Sequence, residues 1–113
     1  METKIYKYKS FKLKAAEKNL EFRKNNYRFL NKLGVVLTEV KNDEELGDKM
    51  IDFLHNEENL RSLFGTFLDE TSSSKIEFNF ENDANYEAVI SLASAILRDF
   101  FSAKAKSLKK SMN

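Results

Sequence analysis

The 113-residue sequence has no cysteine, no proline, no tryptophan, one histidine and three glycines. Without cysteine there is no disulfide and no thiolate metal ligand, which excludes a small disulfide-framed secreted module. Without tryptophan, the ten phenylalanines must supply most of the bulky packing. The glycines Gly34, Gly47 and Gly65 are isolated, so neither a phosphate-binding loop nor a dinucleotide fingerprint exists. No apolar run approaches the roughly 18 residues of a membrane span, and Met1-Glu2-Thr3-Lys4 leads into no signal-peptide core. The abundance of Lys, Asn, Phe and Ser without proline reads as the bias of an AT-rich genome and carries no mechanism.

What is present fits a single folded domain over 1–113, with a mobile basic tail at 102–113. A chain of this length buries roughly two-thirds of its unfolded surface, enough for one core. Hydrophobic residues at 42% against charged residues at 33% give a globular rather than a disordered balance. The net charge of +1 hides a polar distribution: residues 1–32 carry +7, residues 33–97 carry −10, and residues 98–113 carry +4. Basic ends around an acidic middle bind an anionic partner, self-associate head to tail, or neutralise each other within the fold.

Hydrophobic periodicity predicts a mainly α, α+β fold with about four helices and one or two short strands. Tyr6 and Tyr8 alternate with Lys7 and Lys9 as in a strand or extended arm. Ser10 then caps a helix from about Phe11 to Leu33, with Ala16, Leu20, Tyr27 and Leu30 on one face. Phe22, Phe29, Leu33 and Val36 form an adjacent stripe. Gly34 suits the left-handed residue that closes such a helix, which leaves Val35-Val36-Leu37 as a linker or a strand. Asn42 or Asp43 opens a helix to about residue 55 on Leu46, Met50, Phe53 and Leu54. Asn56 opens another to about 69 on Leu60, Leu63, Phe64, Phe67 and Leu68. The short link between these two predicts a helical hairpin. Thr71-Ser72-Ser73-Ser74 signals a turn, and Lys75–Phe80 alternates as the best strand in the chain, a candidate partner for Tyr6 and Tyr8. Asn82 or Asp83 caps a last helix built on Tyr86, Val89, Ile90, Ala93, Ile96, Leu97, Phe100 and Phe101.

No catalytic constellation emerges, and the expectation is a protein that is not an enzyme, with no cofactor and no metal. His55 is the only histidine, and its setting is that of a helix C-terminus, where a hydrogen-bonding or cationic ring favours the dipole. Zinc would have to be held by one histidine and carboxylates. Glu81, Asp83, Asn85 and Glu87 alternate as in a calcium loop. The central glycine is missing, however, and ending a strand and capping a helix accounts for the same residues.

Two surfaces suit binding. The N-terminal run of Lys4, Tyr6, Lys7, Tyr8, Lys9, Phe11, Lys12 and Lys14 interleaves cations with rings, as in a single-stranded nucleic-acid site. A half-buried strand with a solvated lysine face gives the same pattern. On the last helix, Phe100 and Phe101 lead into Lys104, Lys106, Lys109 and Lys110, the candidate partner-binding residues. The alternative is core rings followed by a solvated tail.

Read in order, the chain has a basic start, Tyr8-Lys9-Ser10-Phe11-Lys12-Leu13-Lys14-Ala15-Ala16, running toward Phe22. An acidic helical middle follows with Leu60-Arg61-Ser62-Leu63-Phe64 and Phe67-Leu68-Asp69, and a final helix holds Ile96-Leu97-Arg98-Asp99-Phe100-Phe101. In this whole-chain layout it resembles the tail assembly chaperones of long-tailed bacteriophages. The resemblance implies a non-enzymatic cytoplasmic chaperone or scaffold that coats the helical tape-measure protein and recruits tail-tube subunits, with self-association among its options. In many members of that family a frameshift near the end of the gene adds a second domain, and Lys109-Lys110 is where a slippery codon run would fall in this chain. The alternative is a small nucleic-acid-binding regulator using the basic ends.

Overall fold

The structure, a computed structural model, describes the backbone of residues 4–37 and 41–112 and the side chains of 4–34 and 41–100. The chain runs β1 (Ile5–Tyr8), β2 (Phe11–Lys14), α1 (Leu20–Leu37), α2 (Asp43–Leu54), α3 (Glu57–Phe67), α4 (Glu70–Ser73) and α5 (Asp83–Met112). The fold is mainly helical with one antiparallel hairpin. Among the described residues no helix is long and apolar enough to cross a membrane.

The hairpin corrects the first expectation. Phe11–Lys14 is a strand, not the start of a helix, and Ser10 lies in the turn. Ile5 pairs with Lys14, Tyr6 with Leu13, Lys7 with Lys12 and Tyr8 with Phe11. Directly opposed residues share a face, so Tyr6, Tyr8, Phe11 and Leu13 turn toward the helices while Ile5, Lys7, Lys12 and Lys14 turn outward. The period of two in Phe11-Lys12-Leu13-Lys14 is a strand pattern, and Tyr8 and Leu13 are buried accordingly. Lys9 closes the turn at φ 54°, in the left-handed region. The second edge of β2 is also covered. The Asp69 N–H donates to the Lys14 carbonyl, the Ala16 N–H to the Phe67 carbonyl and the Lys14 N–H to the Ser72 hydroxyl. An edge strand is thereby protected from foreign pairing.

Helix α1 starts at Leu20 because Asn19 caps it: its side-chain oxygen accepts from the Phe22 N–H and its carbonyl from the Arg23 N–H. Of the expected stripe Phe29 and Leu33 are buried and Phe22 is half-buried. Of the face expected to carry Ala16, Leu20, Tyr27 and Leu30, Leu20 and Tyr27 point to solvent, 84% and 68% exposed, while Ala16 and Leu30 are half-buried, Leu30 against the core. Val36 lies outside the described side chains. Gly34 does not end the helix, which continues through Val35-Val36-Leu37, and no glycine takes a positive φ. The expected link or strand there is therefore helical.

The caps of α2 and α3 follow the sequence. Asn42 accepts from the Glu45 N–H, and Glu45 reaches back to the Lys41 N–H; Asn56 accepts from the Asn59 N–H. Helix α3 ends at Phe67, and Leu68 leads into Asp69, which caps the short helix α4 where a plain turn was expected.

The predicted strand at Lys75–Phe80 is not one. Its side chains do alternate, with Ile76 buried and Phe78 and Phe80 half-buried, but no backbone ladder forms. Side chains replace the ladder. The buried Asn85 amide donates to the carbonyls of Glu77 and Asn79, both at 2.8 Å. The Tyr8 hydroxyl accepts from the Glu77 N–H at 3.1 Å and donates to the Asn85 side-chain oxygen. Thus the segment meets the Tyr8 strand through a phenol, and one asparagine satisfies two carbonyls that a neighbouring strand would otherwise take.

Asn82 caps α5, accepting from the Asn85 N–H through its side chain and from the Tyr86 N–H through its carbonyl. Helix α5 packs on α3 and β1, α1 on α2 and α3, and α4 on β2. Phe29 is the hub of the core, in edge contact with Phe53 of α2, Phe67 of α3 and Phe100 of α5 at centroid distances of 5.7, 5.3 and 6.2 Å. Each such ring pair adds about 0.5–1.5 kcal/mol beyond the apolar area it buries.

Candidate functional site

Between α1, the hairpin and the C-terminal half of α5 lies an open cleft of about 530 Å³. Its floor is aromatic: Phe22 from α1, Phe67 from α3 and Phe100 from α5. These rings hold one another, Phe22 on Phe67 at 6.0 Å and Phe67 on Phe100 at 5.3 Å. The register of α1 puts Phe22 and Asn26 on this side, one turn apart. The bend between β2 and α1 brings Ala15 and Ala16 to the wall, small residues that leave the opening wide.

One wall is charged. Asp99 of α5 accepts a 2.8 Å hydrogen bond from the Tyr6 hydroxyl and lies 3.3 Å from the Lys4 ammonium. The Tyr6 hydrogen bond holds the Asp99 carboxyl below its ordinary range. Burial opposes that shift, while Lys4 and Arg98 reinforce it. Tyr6 moves the other way, pushed up first by burial and then by its bond to Asp99 and that group's charge. General acid–base chemistry at neutral pH wants groups tuned toward neutrality. Here the carboxylate and the phenol are both tuned away from it. On the rim stand Lys18 and Arg23, exposed and without an ion pair among the described residues. Asn26, which also lines the cleft, has a buried side-chain oxygen with no hydrogen-bond partner among the described residues. An orphan acceptor of that kind costs about 1–3 kcal/mol.

Of the residues singled out from the sequence, Phe100 is buried and lines the cleft floor. The helix that carries it continues to Met112. The side chains of Phe101, Lys104, Lys106, Lys109 and Lys110 lie outside the described residues.

The interleaved lysines and rings of the N-terminus are sorted by the hairpin. Tyr6 and Tyr8 face the helices, Lys4 pairs with Asp99, and Lys9 reaches Glu77 at 3.4 Å and sits over the Tyr8 ring. Lys7, Lys12 and Lys14 are left on the outer face without an ion pair or a partner ring among the described residues. The tyrosines therefore offer no stacking platform.

His55 sits at the C-terminus of α2. Its Nδ1 donates to the Ile51 carbonyl at 2.7 Å, which leaves Nε2 to accept from the Tyr86 hydroxyl. Asn85, part of the suspected cation loop, is turned inward onto Tyr8 and the 77–79 backbone. Among the described residues no three His, Cys, Asp or Glu side chains group as a metal site.

The cleft was not legible in the sequence. Lys4, Tyr6 and Asp99 are separated by most of the chain, and the period-two pattern of Tyr6 reads as burial rather than as a partner for α5. The weak signal was Asp99 itself, a lone acid set among apolar positions of the last helix and the basic C-terminal run.

No protein-family model, curated protein or solved structure matches the chain.

Proposed function

We propose that this chain is a non-enzymatic chaperone or scaffold that receives an apolar segment of a long helical partner in the cleft between α1, β1 and α5. The observation that carries the reading is the cleft's composition. Three rings form a floor, small alanines form one wall, Asp99 with Lys4 and Tyr6 forms another, and the cations Lys18 and Arg23 stand at the rim. An amphipathic helix laid into such a groove buries its apolar stripe against the rings, while Lys18 and Arg23 set its orientation. The opposite tuning of Asp99 and Tyr6 supports binding over proton transfer. The basic tail of Phe101, Lys104, Lys106, Lys109 and Lys110 follows Phe100 directly, so it suits an extension of the same docking surface.

In its most specific form the reading is phage tail assembly in the host cytoplasm. A tape-measure protein exposes long apolar stripes before the tube encloses it, and stripes of that size drive aggregation. A small domain with a reversible apolar groove shields them and hands the partner to tube subunits.

The test is co-expression with the tape-measure protein encoded in the same genome. Wild type is expected to keep that protein soluble and to co-purify with it. Phe22→Ser, truncation after Phe101, and Lys104→Glu with Lys106→Glu should each weaken the complex while leaving the far-UV circular dichroism unchanged. A genome without such a gene, or variants that bind as well as wild type, would reject the reading.

A further inference from the structure

We infer that this protein associates with further copies of itself, head to tail, through the outer face of its hairpin and one stripe of α2. The two surfaces are built alike with opposite sign. On the hairpin, Lys7 and Lys12 are directly opposed on the outward face beside Ile5, which is 45% exposed. On α2, Glu44, Asp48 and Asp52 recur every fourth residue, all exposed, around Ile51, which is 55% exposed.

Each surface carries a repulsion that the isolated chain leaves unrelieved. Like charges facing each other across a strand pair destabilise it, and so do like charges four residues apart on a helix. None of Lys7, Lys12, Glu44, Asp48 and Asp52 makes an ion pair among the described residues. Lys14, on the same hairpin face, already helps hold the nearby Asp69 below its ordinary range. Lys49 is the one cation of α2.

The two surfaces sit on separate parts of the fold. The hairpin packs on α5 and α4, and α2 packs on α1 and α3. Within one chain each stripe therefore faces solvent. Between two chains, an isoleucine ringed by cations meets an isoleucine ringed by anions, which relieves both repulsions and covers both exposed isoleucines. A contact between different patches leaves one free stripe of each sign at the ends, so assembly grows with concentration instead of stopping at a dimer.

Sedimentation equilibrium on the full chain tests this. At low salt, where the screening length is about 30 Å, the weight-average mass should rise steadily with concentration. Near 1 M salt, where it is about 3 Å, the mass should fall to that of a monomer. Two variants, Lys7→Gln with Lys12→Gln and Asp48→Asn with Asp52→Asn, should each be monomeric at low salt with wild-type circular dichroism. Mixed in equal amounts they should form a one-to-one dimer and go no further, because each retains one intact stripe.

Wild type that stays monomeric at low salt overturns the proposal, as do variants that still assemble or a mixture that stays monomeric. A monomeric wild type whose lysine pair instead binds single-stranded oligonucleotides would assign that face to nucleic acid and equally overturn it. The cleft variant Phe22→Ser should assemble as wild type does, so this test stands apart from the cleft's.

Discussion

Replacing Asn85 with alanine should be among the most damaging single changes in this protein, although Asn85 lies outside the cleft. Its amide is 2% exposed and serves three partners: the Glu77 carbonyl, the Asn79 carbonyl and the Tyr8 hydroxyl. Truncation leaves all three without it. Glu77 and Asn79 are exposed residues, so water can reach their carbonyls, and each loses only the net value of a hydrogen bond, about 1 kcal/mol. Tyr8 is 1% exposed, so its hydroxyl loses its acceptor where water is scarce, at about 1–3 kcal/mol. Together these give a loss of about 3–5 kcal/mol, a large share of the roughly 5–15 kcal/mol that holds a domain folded. With an unfolding entropy of about 2.1 cal/mol/K per residue, the melting temperature should fall by roughly 12–20 °C.

The assay is urea unfolding followed by far-UV circular dichroism, run as a double-mutant cycle with Tyr8→Phe. The phenylalanine removes the hydroxyl that Asn85→Ala would strand, so the two losses should fall short of additivity by about 1 kcal/mol or more. Independent, additive effects, or an Asn85→Ala loss below about 0.5 kcal/mol, would refute the claim that this amide replaces a strand's ladder.

Gly34→Ala should stabilise the protein by about 0.5–1 kcal/mol, since Gly34 lies inside α1 and a Cβ there meets no atom within 4 Å. Thermal melts check this, and a loss of stability would instead mark Gly34 as a left-handed helix end. Asp69 and Asp99 are both held below their ordinary range, Asp69 chiefly by the hydrogen bonds from Ser72 and Asp99 chiefly by Tyr6. Their contributions are present above the unfolded carboxylate pKa of about 3.9 and are lost as pH falls through the depressed folded values. The melting temperature should therefore hold from neutral pH to about 5 and decline below about 4, and Asp99→Asn should make that decline shallower. An identical acid limb in the variant would show that the Tyr6–Asp99–Lys4 cluster adds nothing to stability.

Local signals in this sequence were read well where the local interaction decides the structure. Asn42 and Asn56 cap helices because their own side chains reach the backbone three residues on, an outcome that needs no tertiary partner. The stripe Leu60, Leu63, Phe64 and Leu68 is buried as its spacing requires. Where two readings share a pattern, the sequence could not choose. Phe11-Lys12-Leu13-Lys14 continues a helix or pairs back as a strand, and the turn at Lys9 decides. Gly34 ends a helix or sits inside one, depending on whether the core below α1 extends that far.

The sequence by itself determined the helical class, the caps of the middle helices, the buried stripes of α3 and α5, and the uneven charge. All of these depend on residues within about two helical turns of one another. Tertiary structure alone decided that the alternating segment 76–80 is held by Asn85 and Tyr8 rather than by a strand. It also decided that Tyr6, 93 positions from Asp99, closes one wall of a cleft with it. Such pairings form only once the core has fixed the elements in place, because the cost of closing so long a loop is met by the burial of the whole core and not by any local preference.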